Sequence, residues 1–311
     1  AVDLTLDNAD AATFQGAVGG NTPIGDGTGP SIIFTFTGAT AGTTTFNNTV
    51  ETADGLIQAN DAGLLTFNDN VTINAATVTS VFNAAVTLDS MTFTTAGSAT
   101  FGNEATDALT IQNGLVTIQT SEPGSTFTFN GDTQLDSDLT VNSGVSDIDF
   151  TSTSTTDGTN DLILNSSGTT DIDGAFGGNG AVLRSLTTDA AGTTTIAANI
   201  STALSQTYND AVEFDAGAGN TVTLTGNGGV GATATFASTV DSGAGNATDV
   251  VLSFTDATTF EGAVGGTNAI GDGTGPAIII GSTGTTTFES TLATASGITS
   301  ANGTGTLTFQ G

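Results

Sequence analysis

Large apolar residues recur along this chain in a short motif that ends one run of alternating residues and begins the next. The motif places a small polar residue before a large apolar one, then three small or polar residues, then an aliphatic residue. Clear copies lie at residues 45–50, 66–71, 81–86, 195–200, 235–240, 259–264 and 287–292. Looser copies centre on Phe14, Phe101, Phe129, Phe150, Ile172, Phe214 and Phe309. Successive centres from Phe46 onward lie roughly 15 to 28 residues apart, a period typical of repeat arrays.

The runs between these motifs alternate apolar and polar residues in the manner of β-strands. In residues 43–46, alternation puts Phe46 on one face with Thr44, and Thr43 and Thr45 on the other. β-Branched and aromatic residues fill such runs, and Gly, Asn, Asp and Ser interrupt them. No stretch of helical length shows an apolar period of about 3.6 residues. The pattern predicts an all-β chain.

Two all-β architectures fit short strands at this spacing. Tandem β-sandwich modules need about seven strands per ~100 residues, joined by hairpin turns. A parallel β-solenoid needs short strands and corners that repeat once per coil, and each coil buries its apolar face on its neighbours. The motif suits a corner, because both apolar residues can point inward while the chain bends between them. We therefore expect a parallel β-solenoid (β-helix) of about 15 irregular coils, with ~21 residues per coil.

A second, longer repeat is superimposed on the short one. Residues 1–30 align without gaps on residues 247–276, and after a four-residue deletion residues 43–67 align on residues 285–309. Residues 247–311 therefore repeat residues 1–69 and form the start of a second copy of a unit of about 242 residues. We expect residues 1–311 to form one continuous β-solenoid.

The charge is strongly unbalanced, and it argues against several classes of function. The chain carries 31 acidic residues and one basic residue, Arg184, for a formal net charge of −30. Such a field repels nucleic acid and anionic membranes, because phosphate binding needs Lys and Arg. The chain has no Cys, His or Lys, so disulfides, zinc–thiolate sites and imidazole catalysis are absent. No run approaches the ~20 apolar residues of a membrane span, so we expect no membrane insertion.

The motif coils and their Gly-rich joins resemble the β-strand-repeat surface proteins of bacteria, a group that includes filamentous-haemagglutinin-like adhesins and autotransporter passenger regions. The likeness covers essentially the whole chain and rests on the style of the repeats, since no diagnostic motif is present. The resemblance implies an extracellular, cell-surface β-helical rod that serves as a stalk, fibre or adhesin. It supplies no binding residues to carry over to this chain.

Three Asp-x-Asp pairs lie close together in the sequence, and their carboxylates are candidate metal ligands. Carboxylates stacked on adjacent coils repel one another unless a cation bridges them, and hard oxygen ligands suit Ca²⁺. The six candidate Ca²⁺ ligands are Asp136, Asp138, Asp147, Asp149, Asp171 and Asp173. The alternative is a solvated acidic face whose pairs point in different directions. We expect no other cofactor.

The remaining unusual features favour structural roles. Residues 25–30 and 271–276 lack the Lys of a P-loop, and each loop carries an Asp that repels phosphate, so both predict turns between coils. Arg184 and Tyr208 occur once each, and we expect both to make surface contacts. The Glu residues are scattered and no Trp is present to stack on sugar, so we expect no enzyme activity. A polysaccharide-active β-helix is the minor alternative.

These features together favour an extracellular structural protein. A solenoid without a cap exposes open strand edges, which template further pairing. We expect a subunit or segment of a surface filament that assembles head to tail, with a second copy or the neighbouring repeats of a longer chain as its partner. The alternative is the stalk of a cell-surface adhesin that binds glycans or surfaces, either through residues 16–42 as a protruding recognition loop or through a further terminal domain. No nucleic-acid partner is expected.

Overall fold

A computed structural model describes residues 3–7, 10–35, 42–59, 63–75, 77–120, 122–178, 180–301 and 305–311. The described chain is all-β, and three parallel sheets stack its coils into a β-solenoid of about 12 turns. The fold expected from the sequence is confirmed, with slightly fewer coils than expected. Because the paired strands of the described chain run parallel, tandem sandwiches built from hairpins are excluded. Within the described residues, no helix has the length and apolarity needed to cross a membrane.

The chain divides into two compact units, Ala1–Thr155 and Thr156–Gly311. The strands of the first unit are β1 Leu4–Leu6, β2 Ala12–Phe14, β3 Ile32–Phe34, β4 Thr43–Phe46, β5 Val50–Thr52, β6 Leu56–Gln58, β7 Leu64–Phe67, β8 Val71–Ile73, β9 Ser80–Phe82, β10 Val86–Asp89, β11 Thr92–Thr95, β12 Ala99–Phe101, β13 Leu109–Gln112, β14 Val116–Thr120, β15 Thr126–Phe129, β16 Thr133–Leu135, β17 Leu139–Gly144 and β18 Asp147–Phe150.

The remaining strands belong to the second unit, although β19 begins at Thr155, the last residue of the first unit. They are β19 Thr155–Gly158, β20 Asp161–Ser166, β21 Thr169–Ile172, β22 Ala175–Phe176, β23 Ser185–Thr188, β24 Thr193–Ile196, β25 Ile200–Thr202, β26 Gln206–Tyr208, β27 Ala211–Phe214, β28 Thr221–Gly226, β29 Ala234–Phe236, β30 Val240–Ser242, β31 Asp249–Phe254, β32 Ala257–Phe260, β33 Pro276–Ile280, β34 Thr285–Phe288, β35 Gly297–Ser300 and β36 Leu307–Phe309.

In the first unit, consecutive strands belong to different sheets. One sheet has the order β1-β3-β6-β9-β12-β15-β18, the second β2-β4-β7-β10-β13-β16 and the third β5-β8-β11-β14-β17. Each sheet therefore gains one strand per coil, as a solenoid requires. The register keeps like residues opposite one another, so that Phe46 lies between Phe14 and Phe67.

The repeated motif forms corners between sheets. Phe46 ends β4 and Val50 begins β5, and both side chains are buried. Thr44 is buried with Phe46, whereas Thr43 and Thr45 are less so, which confirms the predicted alternation. The three residues between Phe46 and Val50 turn the chain from one sheet to the next. The same arrangement recurs where Phe82 ends β9 and β10 begins.

The core of the first unit contains two ladders of stacked rings. Strands of adjacent coils lie about 4.8 Å apart, so like residues in register stack face to face. One ladder joins Phe14, Phe46 and Phe67 with ring centroids 4.8 and 5.2 Å apart. The other joins Phe82, Phe101, Phe129 and Phe150 at 5.2, 5.5 and 4.4 Å. Stacked rings bury large apolar areas and favour this register over any other.

The second unit repeats this design with its own ladder. Its sheets have the orders β21-β24-β27-β30, β19-β22-β25-β28-β31-β33-β35 and β20-β23-β26-β29-β32-β34-β36. On the β30 side, the last two coils continue through single bridges, from Val240 to Val264 and from Val264 to Leu292. The ring ladder consists of Tyr208, Phe236, Phe260, Phe288 and Phe309, with centroid separations of 5.0, 4.6, 4.7 and 5.5 Å.

Candidate functional site

The first two Asp pairs do not come together. Asp136 and Asp138 lie in the turn between β16 and β17, whereas Asp147 and Asp149 lie in β18. These three strands belong to three different sheets of the first unit, so the two pairs occupy different sides of the coil. Asp136 accepts a hydrogen bond from Nε2 of Gln134 at 3.0 Å. The idea of a single Ca²⁺ ladder along one strand face is therefore not favoured for these four residues.

The third pair belongs to the second unit, where it has a different carboxylate neighbour. Asp171 lies in β21 and Asp173 follows that strand. Burial raises the pKa of Asp173, and the charge of Asp215 raises it further. Across the described residues, no group of three or more carboxylates is placed to hold a metal ion. Calcium binding by the Asp pairs stays a prediction.

The electrostatic interaction between Asp173 and Asp215 follows from the register of the coils. Ile172, Ile196 and Phe214 lie opposite one another in three consecutive coils, so Asp173 and Asp215 flank the coil that carries Ala197. The charge of Asp215 therefore acts on Asp173 from two coils away. Sequence reasoning missed Asp215, since coil length must be known before residues two coils apart can be paired.

Both Gly-rich loops are closed by their own Asp. Oδ1 of Asp26 accepts hydrogen bonds from N–H and Oγ1–H of Thr28 at 2.9 and 2.6 Å. Oδ1 of Asp272 accepts the same pair from Thr274 at 2.6 and 2.7 Å. These hydrogen bonds lower the pKa of both carboxyls. A carboxylate that is exposed and already holds the loop in a turn repels phosphate, in keeping with the predicted structural role.

The two residues that occur once have different environments. Arg184 donates from Nε to Oδ1 of Asp161 at 2.6 Å and pairs with Oδ2 through its terminal nitrogen, which lowers the pKa of Asp161. It is a surface contact, as expected. Tyr208 is not: it is fully buried, stacks on Phe236 and donates from its hydroxyl to Oε1 of Gln206 at 3.0 Å.

The position of Tyr208 corrects the sequence analysis and was available from the sequence. Residues 207–212 read Thr-Tyr-Asn-Asp-Ala-Val, which is a further copy of the corner motif with Tyr in place of Phe. Tyr208 ends β26, and the following corner leads into β27, where Val212 is buried. The aromatic ring therefore serves the core, and burial raises the pKa of its hydroxyl well above the ordinary range.

The outer coils expose the ends of the ring ladders. Phe309 is 57% exposed and Leu307 is 38% exposed, although both lie in a strand that is paired with β34. The strands β1 and β2 in the first unit, and β35 and β36 in the second, each pair on one side only among the described strands. Their outer edges present backbone N–H and C=O groups together with apolar side chains, which is the surface that templates further strand pairing.

Comparisons with models of protein families, with curated proteins and with solved structures return no match to this chain.

Proposed function

We propose that the chain is an extracellular structural protein, a β-solenoid subunit or segment of a cell-surface filament that assembles head to tail by strand stacking. The observation that carries the proposal is the exposure of Phe309 and Leu307 on a strand edge that no described strand covers. A neighbouring coil would pair with that edge and cover both side chains. The proposal assigns no catalytic activity to the chain.

The driving force is the same in the proposed joint as within each unit. A stacked coil satisfies the outer row of backbone groups, and each large side chain that it covers contributes on the order of 1–3 kcal/mol. The contact is heterologous, because one end of the solenoid meets the other, and such contacts generate open filaments. The resemblance to bacterial β-strand-repeat surface proteins supports the same assignment and suggests a location at the cell surface.

Charge favours growth at the ends over association at the sides. The net charge of −30 makes the lateral surfaces repel one another at low ionic strength. The end strands β35 and β36 contain no charged residue, so axial approach brings fewer like charges together. Divalent cations would act on lateral contacts or on the Asp pairs, and their removal shows whether assembly depends on a cation at all.

The test is electron microscopy of purified protein at low micromolar concentration, first with millimolar Ca²⁺ and then with excess EDTA. Unbranched fibres with a layer line near ~4.8 Å along the axis are expected. Fibre loss in EDTA would show that assembly needs a divalent cation, at the Asp pairs or between the lateral surfaces, whereas fibres in both conditions would support assembly without calcium. Discrete particles in both conditions would overturn the filament.

A matched pair of variants tests whether fibres form through the exposed end of the solenoid at Phe309. Phe309→Lys places a charge on the exposed end, and Leu115→Lys places the same charge in the turn between β13 and β14. Both side chains are 57% exposed in the native protein. Phe309→Lys should abolish fibres while Leu115→Lys leaves them unchanged. Equal effects from the two variants would contradict axial stacking.

The alternative is the stalk of a cell-surface adhesin, with residues 16–42 as its expected recognition loop. Within residues 16–42, Val18 donates from its N–H to Thr49 at 2.9 Å, and Ile24 donates to Glu51 at 3.1 Å. The expected loop is thus held to β5 at Val18 and Ile24, the residues 20–22 between them are exposed, and residues 36–41 fall outside the described part of the chain. A glycan-binding role can also be sought where side chains with unused polar groups line a cleft.

A further inference from the structure

The second unit contains a cleft that the structural role does not use. It measures about 330 Å³ and lies between the turn that follows β30 and the loop that follows the Val264 bridge. Gly243, Gly245 and Asn246 line it on one side, and Thr267 and Asn268 line it on the other. Its volume falls at the lower end of the range for small-ligand pockets, about 300–1,000 Å³.

Buried or paired carboxylates fix both walls of this cleft. Asp241 is buried, and its Oδ1 accepts hydrogen bonds from the backbone N–H groups of Thr267 and Asn268 at 2.8 and 3.1 Å. On the other wall, Asn246 donates from Nδ2 to Oδ1 of Asp215 and from its backbone N–H to the Gly243 carbonyl. A wall that is held before the ligand arrives loses little entropy on binding.

The cleft presents unused hydrogen-bonding groups. The Thr267 hydroxyl and the Asn268 side-chain amide make no hydrogen bond with any other described residue. Both groups can donate and accept, as can a sugar hydroxyl. The lining contains no charged side chain and no large apolar one. The lining therefore suits a neutral, polyhydroxylated ligand better than an apolar one, and the net charge of −30 disfavours an anion.

We propose that this cleft binds a neutral saccharide, with one pyranose ring seated between Asn246 and Asn268. The site does not depend on filament formation, because all its walls belong to the second unit of one chain. Its open, polar form predicts weak binding, with dissociation constants in the millimolar range for single sugars, about 4 kcal/mol. Tighter binding would require several such sites along a filament.

The first copy of the repeat supplies an internal control. Residues 19–24 correspond to residues 265–270, and Asn21 and Thr22 occupy the positions of Thr267 and Asn268. No turn like Ser242–Asn246 lies beside that loop among the described residues, so the same polar side chains stand without an opposite wall. A substitution there changes the loop chemistry and leaves the cleft intact.

The experiment is ¹H–¹⁵N NMR titration of the Phe309→Lys variant in EDTA with the methyl glycosides of glucose, galactose, mannose and N-acetylglucosamine. At least one glycoside should shift the amide signals of Gly243 and Gly245 with a millimolar dissociation constant. The double variant Thr267→Val/Asn268→Ala should weaken that binding at least tenfold, whereas Asn21→Ala should not. Fibre formation is not measured, so the outcome is independent of the filament proposal.

Three outcomes would overturn the saccharide site. One is the absence of shifts at Gly243 and Gly245 with all four glycosides. Another is binding that survives the double variant with its dissociation constant unchanged. The third is stronger binding of galacturonate than of the galactoside, because a net negative surface with no basic lining residue should favour the neutral sugar.

Discussion

The two copies of the long repeat, residues 1–69 and 247–311, fold into the same local structure but differ in burial. Phe67 is fully buried beneath β10, whereas its equivalent Phe309 is 57% exposed because no described strand covers it. Conversely, Phe14 is half-buried, whereas its equivalent Phe260 is covered by β29 and only 2% exposed. In a solenoid, the presence of a neighbouring coil therefore determines how deeply a given residue is buried and how much it contributes to stability.

The copies also differ in the residue that follows each stacked ring. In the first copy, Asn47 donates to Gln15 at 3.1 Å and Asn68 donates to Asn47 at 2.7 Å, so that amides form a ladder along the corner. In the second copy, Glu261 and Glu289 take the first two positions, next to the paired rings of Phe260 and Phe288. Two carboxylates replace a hydrogen-bonded pair of amides, so we expect the second copy to be the less favourable version of the corner.

The largest expected effect on stability comes from truncating a ring inside the ladder. Truncation of the ring at the end of the ladder provides the comparison. Phe288→Ala removes a ring that is 1% exposed and lies between two others, and it should destabilise the second unit by about 3–5 kcal/mol. Phe309→Ala should cost about 1 kcal/mol in dilute, unassembled protein. Urea unfolding followed by circular dichroism measures both. Similar losses from the two variants would show that the end ring is already covered.

A smaller effect on stability should come from removing a threonine hydroxyl that is buried between stacked coils. Oγ1 atoms of Thr258 and Thr286 are buried and have no hydrogen-bond partner among the described residues, and the two residues lie opposite each other in adjacent coils. Thr286→Val keeps the shape of the side chain and removes an unsatisfied group, so it should stabilise the protein by about 1–2 kcal/mol.

The outward neighbour Thr287 provides the control for this variant. Thr287→Val changes the same atoms on the outer face of β34 and should alter stability by less than about 0.5 kcal/mol. The midpoint of thermal unfolding distinguishes the two substitutions. A loss of stability in Thr286→Val would mean that the buried hydroxyl does have a partner, such as an ordered water.

The parts of this structure that the sequence predicts are those that depend on neighbours along the chain. The motif defines each corner because Phe46 and Val50 must both reach the core while the residues between them turn. Which residues meet across coils depends on coil length, and coil length varies: Gln15 contacts Asn47 across 32 residues, whereas Asn47 contacts Asn68 across 21. The positions of the Asp pairs therefore could not be derived from their spacing alone.

The polar cleft was beyond sequence analysis for the same physical reason. Asp241 and Asn268 are separated by 27 residues, and nothing local to either indicates that one carboxylate fixes the other loop. Tyr208 is a different case, because residues 207–212 follow the corner motif. Its burial was therefore predictable from the sequence once Tyr is allowed in place of Phe. The local sequence pattern was therefore enough to predict the fold and most of the core. The candidate sites could be located only from the register between coils, which the structure supplies.

Exchanging the residues that follow the stacked rings, Asn47 in the first copy and Glu289 in the second, tests why the two copies differ at this corner. Glu289→Asn should remove like-charge repulsion with Glu261 and stabilise the second unit by about 0.5 kcal/mol at low ionic strength. The reciprocal Asn47→Glu should destabilise the first unit, because it breaks the hydrogen bonds to Gln15 and Asn68. Thermal unfolding in low and high salt measures both, and the Glu289→Asn gain should shrink in salt. A gain that is independent of salt would contradict repulsion as its cause.

The smallest expected effect concerns one Asp that the two copies share. Burial raises the pKa of Asp249 above its usual 3.8 and outweighs the hydrogen bond from the backbone N–H of Asp272, which lowers it. A carboxyl whose pKa is raised by folding contributes most to stability below pH 3.8, and that contribution is lost as the pH rises through the folded pKa. Asp249→Asn should therefore raise the unfolding temperature slightly at pH 7 and leave it unchanged near pH 3. Its equivalent Asp3 is exposed, so Asp3→Asn should have no effect at either pH. A gain from Asp249→Asn that persists undiminished at pH 3 would show that charge is not its origin, and the difference between the copies at this position would then lie in packing alone.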